Sequence, residues 1–219
     1  MNIKTSASLL AADLSDLRRE TARCIDAGVD WIHFDVMDGQ FVEQITYGAP
    51  VLKRLKPYCS LPLDVHLMVE NPARQIEFFA EAGADLITIH IESSCDPAAC
   101  LKRIRGLGMR SSLAVKPDTP VESVYEYLPL CDMILVMTVE PGYGGQGFIP
   151  EMMPKAKKLR EYADAHGFQN LDIQVDGGIN AKTAESAKSA GANILVAGTG
   201  LFKADDMKAE NSVLKGLSK

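Results

Sequence analysis

Five side chains could do metal or acid–base chemistry. His33 and Asp35 lie two apart in the apolar run WIHFDVM, Asp64 and His66 lie two apart in LDVHLMV, and Asp176 ends LDIQVD just before two glycines. Side chains alternate across a strand with period two, so His33, Asp35 and Met37 share one face, as do Asp64, His66 and Met68. A buried strand has no use for an ionisable pair unless its charge is compensated. Two imidazoles with two carboxylates, His33, Asp35, His66 and Asp176, would suit one borderline divalent ion, Zn²⁺, Mn²⁺, Fe²⁺ or Co²⁺, and disfavour Ca²⁺. Four separately satisfied core or rim residues would leave the same pattern. The elements that carry them must separate the two readings.

Strand-like runs recur at 3–7, 31–37, 63–69, 86–92, 111–116, 133–139, 171–176 and 193–198. Several are apolar nearly throughout, as parallel strands covered on both faces are. Between them lie amphipathic stretches such as DLSDLRRETARCIDAG, with Leu14, Leu17 and Ile25 near one face. AGVDWIHFD at 27, AGADLITIH at 82 and AGANILVAG at 190 each read as a helix end with glycine at its cap, followed at once by a strand. Their spacings, 55 and 108 residues, are near two and four units of ~27 residues, the unit of a compact eightfold βα repeat. The expected fold is therefore an α/β (β/α)8 TIM barrel, one domain over 1–219; an open doubly wound sheet is the alternative. In a barrel, chemistry belongs at the C-terminal strand ends. The two histidines with Asp35 and Asp176 fall there, on the second, third and seventh strands, which favours the metal reading. Met37, Met68 and Met137, also at strand ends, would form an apolar collar or serve as plain core. His90, late in its strand, reads as a hydrogen-bonded core residue, with a supporting place behind the metal ligands as the alternative, and His166 reads as solvent-facing.

The segments after the sixth, seventh and eighth strands are rich in glycine: EPGYGGQGF, DGGIN and AGTGLF. Glycine lets backbone N–H groups approach an anion, and barrels commonly hold phosphate after strands seven and eight. Tight turns alone would also use glycine. No nucleotide-binding fingerprint is present, so the expected ligand is a phosphate monoester. A metal, two carboxylates and an anchored phosphate together suggest proton abstraction next to a carbonyl, one aspartate removing the proton and the other returning one.

Composition narrows the classes. Over 219 residues, 47% hydrophobic and 24% charged residues describe an ordinary globular chain. A formal charge of -6 argues against a nucleic-acid surface. No window approaches the ~18 uninterrupted apolar residues of a membrane span. The start, MNIKTSASLL, reads as neither secretory nor transit signal. The odd, scattered Cys24, Cys59, Cys95, Cys100 and Cys131 suggest reduced thiols and a cytoplasmic setting.

Along essentially the whole chain, SLLAADLSDL, DWIHFDVMDGQFV, DVHLMVENP, MTVEPGYGGQGF and VDGGIN, in that order, resemble the signature segments of the ribulose-phosphate 3-epimerase family. The resemblance implies a ribulose-phosphate-binding barrel that interconverts D-ribulose 5-phosphate and D-xylulose 5-phosphate. It implies Asp35 and Asp176 as the acid/base pair, with His33, Asp35, His66 and Asp176 as ligands of one divalent ion. It further implies substrate contacts from Ser8, His66, Met37, Met68 and Met137, and from the loop residues Gly142, Tyr143, Gly144, Gly145, Gly177, Gly178, Gly198 and Thr199. The phosphorylated ketose is the expected partner, and the sequence leaves a homo-oligomer open. Two departures stand out: Glu43-Gln44 where the family usually continues Pro-Asn after DGQFV, and Lys116 where many members carry Asn. Neither touches the expected ligands, so they bear on sugar preference. An epimerase of a ketohexose 6-phosphate such as allulose 6-phosphate is the enzymatic alternative. A non-catalytic sugar-phosphate sensor, which would need no acid/base pair, is the alternative from another class. Asp38 and Gly39, beyond the second strand, read as the turn that opens its loop.

Overall fold

The computed structural model describes residues 2–217; Met1, Ser218 and Lys219, at the ends of the expected domain, lie outside the described residues. Eight parallel strands, β1 (Lys4–Ser8), β2 (Trp31–Met37), β3 (Leu63–Met68), β4 (Leu86–His90), β5 (Arg110–Val115), β6 (Met133–Met137), β7 (Asp172–Asp176) and β8 (Ile194–Ala197), close into a barrel in chain order. Helices α1 (Leu17–Asp26), α2 (Ala49–Leu55), α3 (Ile76–Ala82), α4 (Pro97–Gly106), α5 (Met153–Ala165), α6 (Ala184–Ser189), α7 (Thr199–Phe202) and α8 (Met207–Leu214) follow in the connections.

The period-two pattern separates two interiors. Ile32, Phe34 and Val36 of β2, and Leu63, Val65 and Leu67 of β3, pack with helix residues such as Leu52, Phe79 and Leu101 in one apolar layer. The alternate residues enter the lumen. Trp31, Leu86, Met133 and Ile194 plug it, and beyond them it turns polar, with Ser6, His33, Asp64, His66, Thr88, Ser112 and Gln174 all buried. The three repeated Ala-Gly steps end helices as expected: Gly28, Gly83 and Gly191 sit at φ 72, 94 and 90, in the left-handed region that a β-carbon disfavours.

The structure revises three details. Helix α1 starts only at Leu17, because Asp13 accepts the Ser15 N–H and Asp16 caps the Arg19 N–H at 3.1 Å. Leu14 therefore lies in a 3-10 turn and is exposed, while Thr21 and Cys24 are buried along the helix. Between β5 and β6 the connection is a 3-10 segment, Val121–Leu130, set off by Pro120 and interrupted by Pro129, which has no N–H to give an α-helix. Strands β3, β4 and β6 stop one or two residues early, where the chain leaves the ladder for the loops of the C-terminal face. The seam between first and last strands is stitched from α8: Thr5 Oγ1 donates to Asn211 Oδ1 at 2.6 Å, and Asn211 Nδ2 donates to the Ala27 carbonyl at 3.1 Å.

Candidate active site and metal centre

The expected quartet comes together. One donor atom from each of His33, Asp35, His66 and Asp176 lies within 4.8 Å of all the others. Register explains it: His33 and Asp35 of β2 sit beside Asp64 and His66 of β3, and Asp176 ends β7 beside Met137 and Val196. His33 Nε2 stands 3.3 Å from His66 Nδ1, and Asp35 Oδ1 is 3.2 Å from each. Asp176 Oδ2 is 3.7 Å from the same two nitrogens.

Whether this set fits an ion turns on the rings' far nitrogens. His33 Nδ1 lies 2.8 Å from Asp64 Oδ2, a carboxylate that can only accept, so that nitrogen carries the proton. His66 Nε2 meets His90 Nε2 at 2.9 Å. With their protons on the far sides, both rings turn lone pairs toward two carboxylate oxygens, and four electron-pair donors converge on one point. That donor set fits a metal ion.

Without an ion, protons do the compensating. Burial disfavours charge on His33, but Asp35 and Asp64 together raise its pKa well above the ordinary histidine value. Burial likewise opposes ionisation of Asp35, yet His33 and His66 hold its carboxyl well below the usual range. Asp176 goes the other way, raised by burial and by the Asp35 carboxylate. Two neighbouring carboxyls whose environments push them apart can divide acid and base roles.

The remaining expected residues line a cavity of about 380 Å³ over the quartet, with Ser8, Met37, Met68, Met137, Tyr143, Gly178 and Thr199 among its walls. Ser8 Oγ donates to Asp35 Oδ2 at 2.6 Å, so it orients the carboxylate as well as facing the cavity. Met37 and Met68 pack with Val42 on one side; Met137 packs with Ala114, Leu135 and Val139. The glycines face them. At Gly178 (φ 67) a β-carbon would lie 2.4 Å from the Phe148 backbone nitrogen, and at Gly177 (φ 123) it would lie 2.4 Å from Val139. Thr183 Oγ1 and Asn180 Nδ2 both donate to the Gly178 carbonyl. Gly198 caps α7, whose first N–H groups have no partner within the helix. Gly142, Gly144, Gly145 and Tyr143 form the opposite lip. Tyr143 OH donates to Glu43 at 2.6 Å, so one departure from the family pattern is tied to the glycine loop.

The structure also places the residues around the quartet. Asp64, noted only for its parity, also accepts from Gln174 Nε2 at 2.6 Å and Ser6 Oγ at 3.2 Å. His90 is buried and hydrogen-bonded, but its partner is His66, so it abuts the quartet. Burial holds His90 down to about 4, with Glu92 pulling the other way. His166 is exposed and stacked on Tyr162. Asp38 forms the expected turn, its Oδ1 accepting the Gln40 and Phe41 N–H groups and Gly39 following at φ 72.

Comparison with known proteins gives four concordant findings. A family model described as "Ribulose-phosphate 3 epimerase family" matches residues 4–202. A ribulose-phosphate 3-epimerase of Eremothecium gossypii is 45% identical, over 95% of this chain and 90% of its own. A protein of Oryza sativa subsp. japonica named "Ribulose-phosphate 3-epimerase, cytoplasmic isoform" is 44% identical, over 92% of this chain and 88% of its own. Among solved structures, 3-hexulose-6-phosphate synthase from Salmonella typhimurium superposes with a TM-score of 0.72 at 18% identity, covering 98% of each chain, which shows a shared fold.

Proposed function

The chain belongs to the ribulose-phosphate 3-epimerase family and is an enzyme of that kind, and from that premise we propose how its residues invert C3 of D-ribulose 5-phosphate to give D-xylulose 5-phosphate. One observation carries the reading: two carboxylates meet two imidazoles under a cavity walled by glycine loops.

Asp35, kept ionised, takes the C3 proton from one face of the sugar. Asp176, which favours its proton, delivers one to the other face, and the configuration inverts. In the reverse direction the roles exchange. Ser8 holds Asp35 by Oδ2, while Oδ1 stays between His33 Nε2 and His66 Nδ1. The phosphate rests on the N–H groups of Gly177, Gly178, Gly198 and Thr199, while Gly142 to Gly145 form the lip. Met37, Met68 and Met137 keep water from the enediolate. His33, Asp35, His66 and Asp176 would hold one divalent ion, Zn²⁺, Fe²⁺, Mn²⁺ or Co²⁺, which would supply positive charge to polarise the carbonyl and offset the enediolate. The whole described barrel acts as one unit, since β1, β2, β3 and β7 all contribute. Among the described residues no helix is long and apolar enough to cross a membrane. The kinship with a cytoplasmic isoform supports a cytoplasmic setting.

Turnover in D₂O tests the reading. Deuterium should enter ribulose 5-phosphate at C3 only, should stop on chelation, and should resume when Zn²⁺ or Mn²⁺ is restored. Faster exchange on a ketohexose 6-phosphate run in parallel would overturn the substrate assignment, and label at another carbon would overturn the mechanism.

A further inference from the structure

The two imidazoles of the quartet are supported unequally. His33 hands its far proton straight to the Asp64 carboxylate. His66 faces another imidazole, and two ring nitrogens 2.9 Å apart cannot both carry protons or both lack them. What settles the direction lies one residue further out. His90 Nδ1 is 3.1 Å from Glu92 Oε2, and the other oxygen of Glu92 accepts the Lys116 backbone N–H at 2.8 Å. A carboxylate can only accept. The proton of His90 therefore sits on Nδ1, and its Nε2 must accept from His66 Nε2. The lone pair of His66 is then left on Nδ1, facing Asp35 and Asp176. Both rings are fully buried; His90 stacks on His66 with centroids 5.0 Å apart and packs against Phe41 at 4.8 Å.

We infer that His90 and Glu92 are positioning residues that lock His66 into the tautomer able to donate an electron pair at Nδ1, so that the quartet's affinity for its ion is set in part from Glu92, on the loop after β4. This rests on the ion-holding reading of the quartet. Neither residue touches the cavity occupant; both act through His66. Outer hydrogen-bond partners of this kind typically govern metal affinity by ~10–100-fold.

The two positions allow opposed substitutions. In Glu92→Gln the side chain keeps its shape but offers one acceptor and one donor where both neighbours, His90 Nδ1–H and Lys116 N–H, need acceptors. One bond must fail or the tautomers must reverse. His90→Leu removes the chain outright. His90→Gln restores it, since an amide accepts at its oxygen and donates at its nitrogen.

The test is titration of the metal-stripped, full-length protein with Zn²⁺ against a chromophoric chelator, with substrate absent. Glu92→Gln and His90→Leu should weaken Zn²⁺ binding by about 10–100-fold, with activity recovering as Zn²⁺ is raised, and His90→Gln should stay within about threefold of the natural chain. Nitrogen-15 NMR of the metal-stripped natural chain should find the proton on Nε2 of His66 and on Nδ1 of His90. The opposite tautomers, or undiminished Zn²⁺ affinity in Glu92→Gln, would overturn the inference while leaving the quartet's reading intact. Failure of the natural chain to bind Zn²⁺, Mn²⁺, Fe²⁺ or Co²⁺ would overturn the quartet's reading and this inference with it. Should His90→Leu not fold, Glu92→Gln and the spectra of the natural chain still decide.

Discussion

The eight strands border two interiors built on opposite principles. Outside the sheet, Ile32, Phe34, Val65, Leu67 and Ile89 meet Leu52, Phe79 and Leu101 in an apolar layer. Inside, one residue away along the same strands, stand His33, Asp35, Asp64, His66 and His90. Barrel lumens are commonly filled with branched apolar side chains; here the plug of Trp31, Leu86, Met133 and Ile194 and the cluster of Ala114, Leu135, Met137 and Val139 are apolar, while Ser6, His33, Asp64, His66, Thr88, Ser112 and Gln174 are polar. The outer layer can therefore carry the fold while the lumen is kept for chemistry. Stability and activity should come apart when each is cut separately.

The largest effect should come from the lumen. Asp176→Asn removes a proton carrier with little change of shape and should lower kcat by roughly 10²–10⁴-fold. Its melting temperature should hold or rise, because the variant relieves repulsion from Asp35. Calorimetry alongside initial rates checks this, and an unfolded variant would break the contrast. Next comes the outer layer. Phe79→Ala on α3 should cost about 3–5 kcal/mol in denaturant unfolding, with kcat per folded molecule unchanged. A matching fall in kcat would mean that the two interiors are coupled. The smallest effect belongs to the rim, where an exposed hydrogen bond contributes little. Glu43→Ala and Tyr143→Phe should each raise KM about two- to threefold, and the pair together no more than either alone, since both cut the same bond. Additive effects would show that Glu43 acts by its charge instead.

Parity made much of this legible. A histidine and an aspartate two apart declare a shared face, and the glycine punctuation after β6, β7 and β8 marks the opposite wall. Parity does not give depth, however. Asp64 and His66 have the same parity, yet one lies behind His33 and the other joins the quartet beside Asp35, because tilted strands offset neighbouring rows. The contact between His66 and His90 depends on that same offset. Leu14 was misplaced because the capping aspartates Asp13 and Asp16 outweigh hydrophobic spacing. Glu43 and Tyr143, 100 residues apart, meet only because the fold sets the loops after β2 and β6 side by side. The resemblance to a family could not give this pairing, since Glu43 is where the chain departs from it.

The Asn211 stitch has a consequence for how the molecule assembles. Thr5 and Asn211 are 206 residues apart, so nearly the whole chain must be in place before that bond can form. Until β8 docks on β1, the sheet has two open edges and its concave face stays wet. The carboxylates and imidazoles of the lumen then lose water together, late, in the step that joins the two ends of the chain. Contacts of such long sequence separation are the slow ones in folding. A chain that ends before β8 should consequently expose a hydrated, half-formed barrel, with β1 and β7 as edges open to pairing with a stranger.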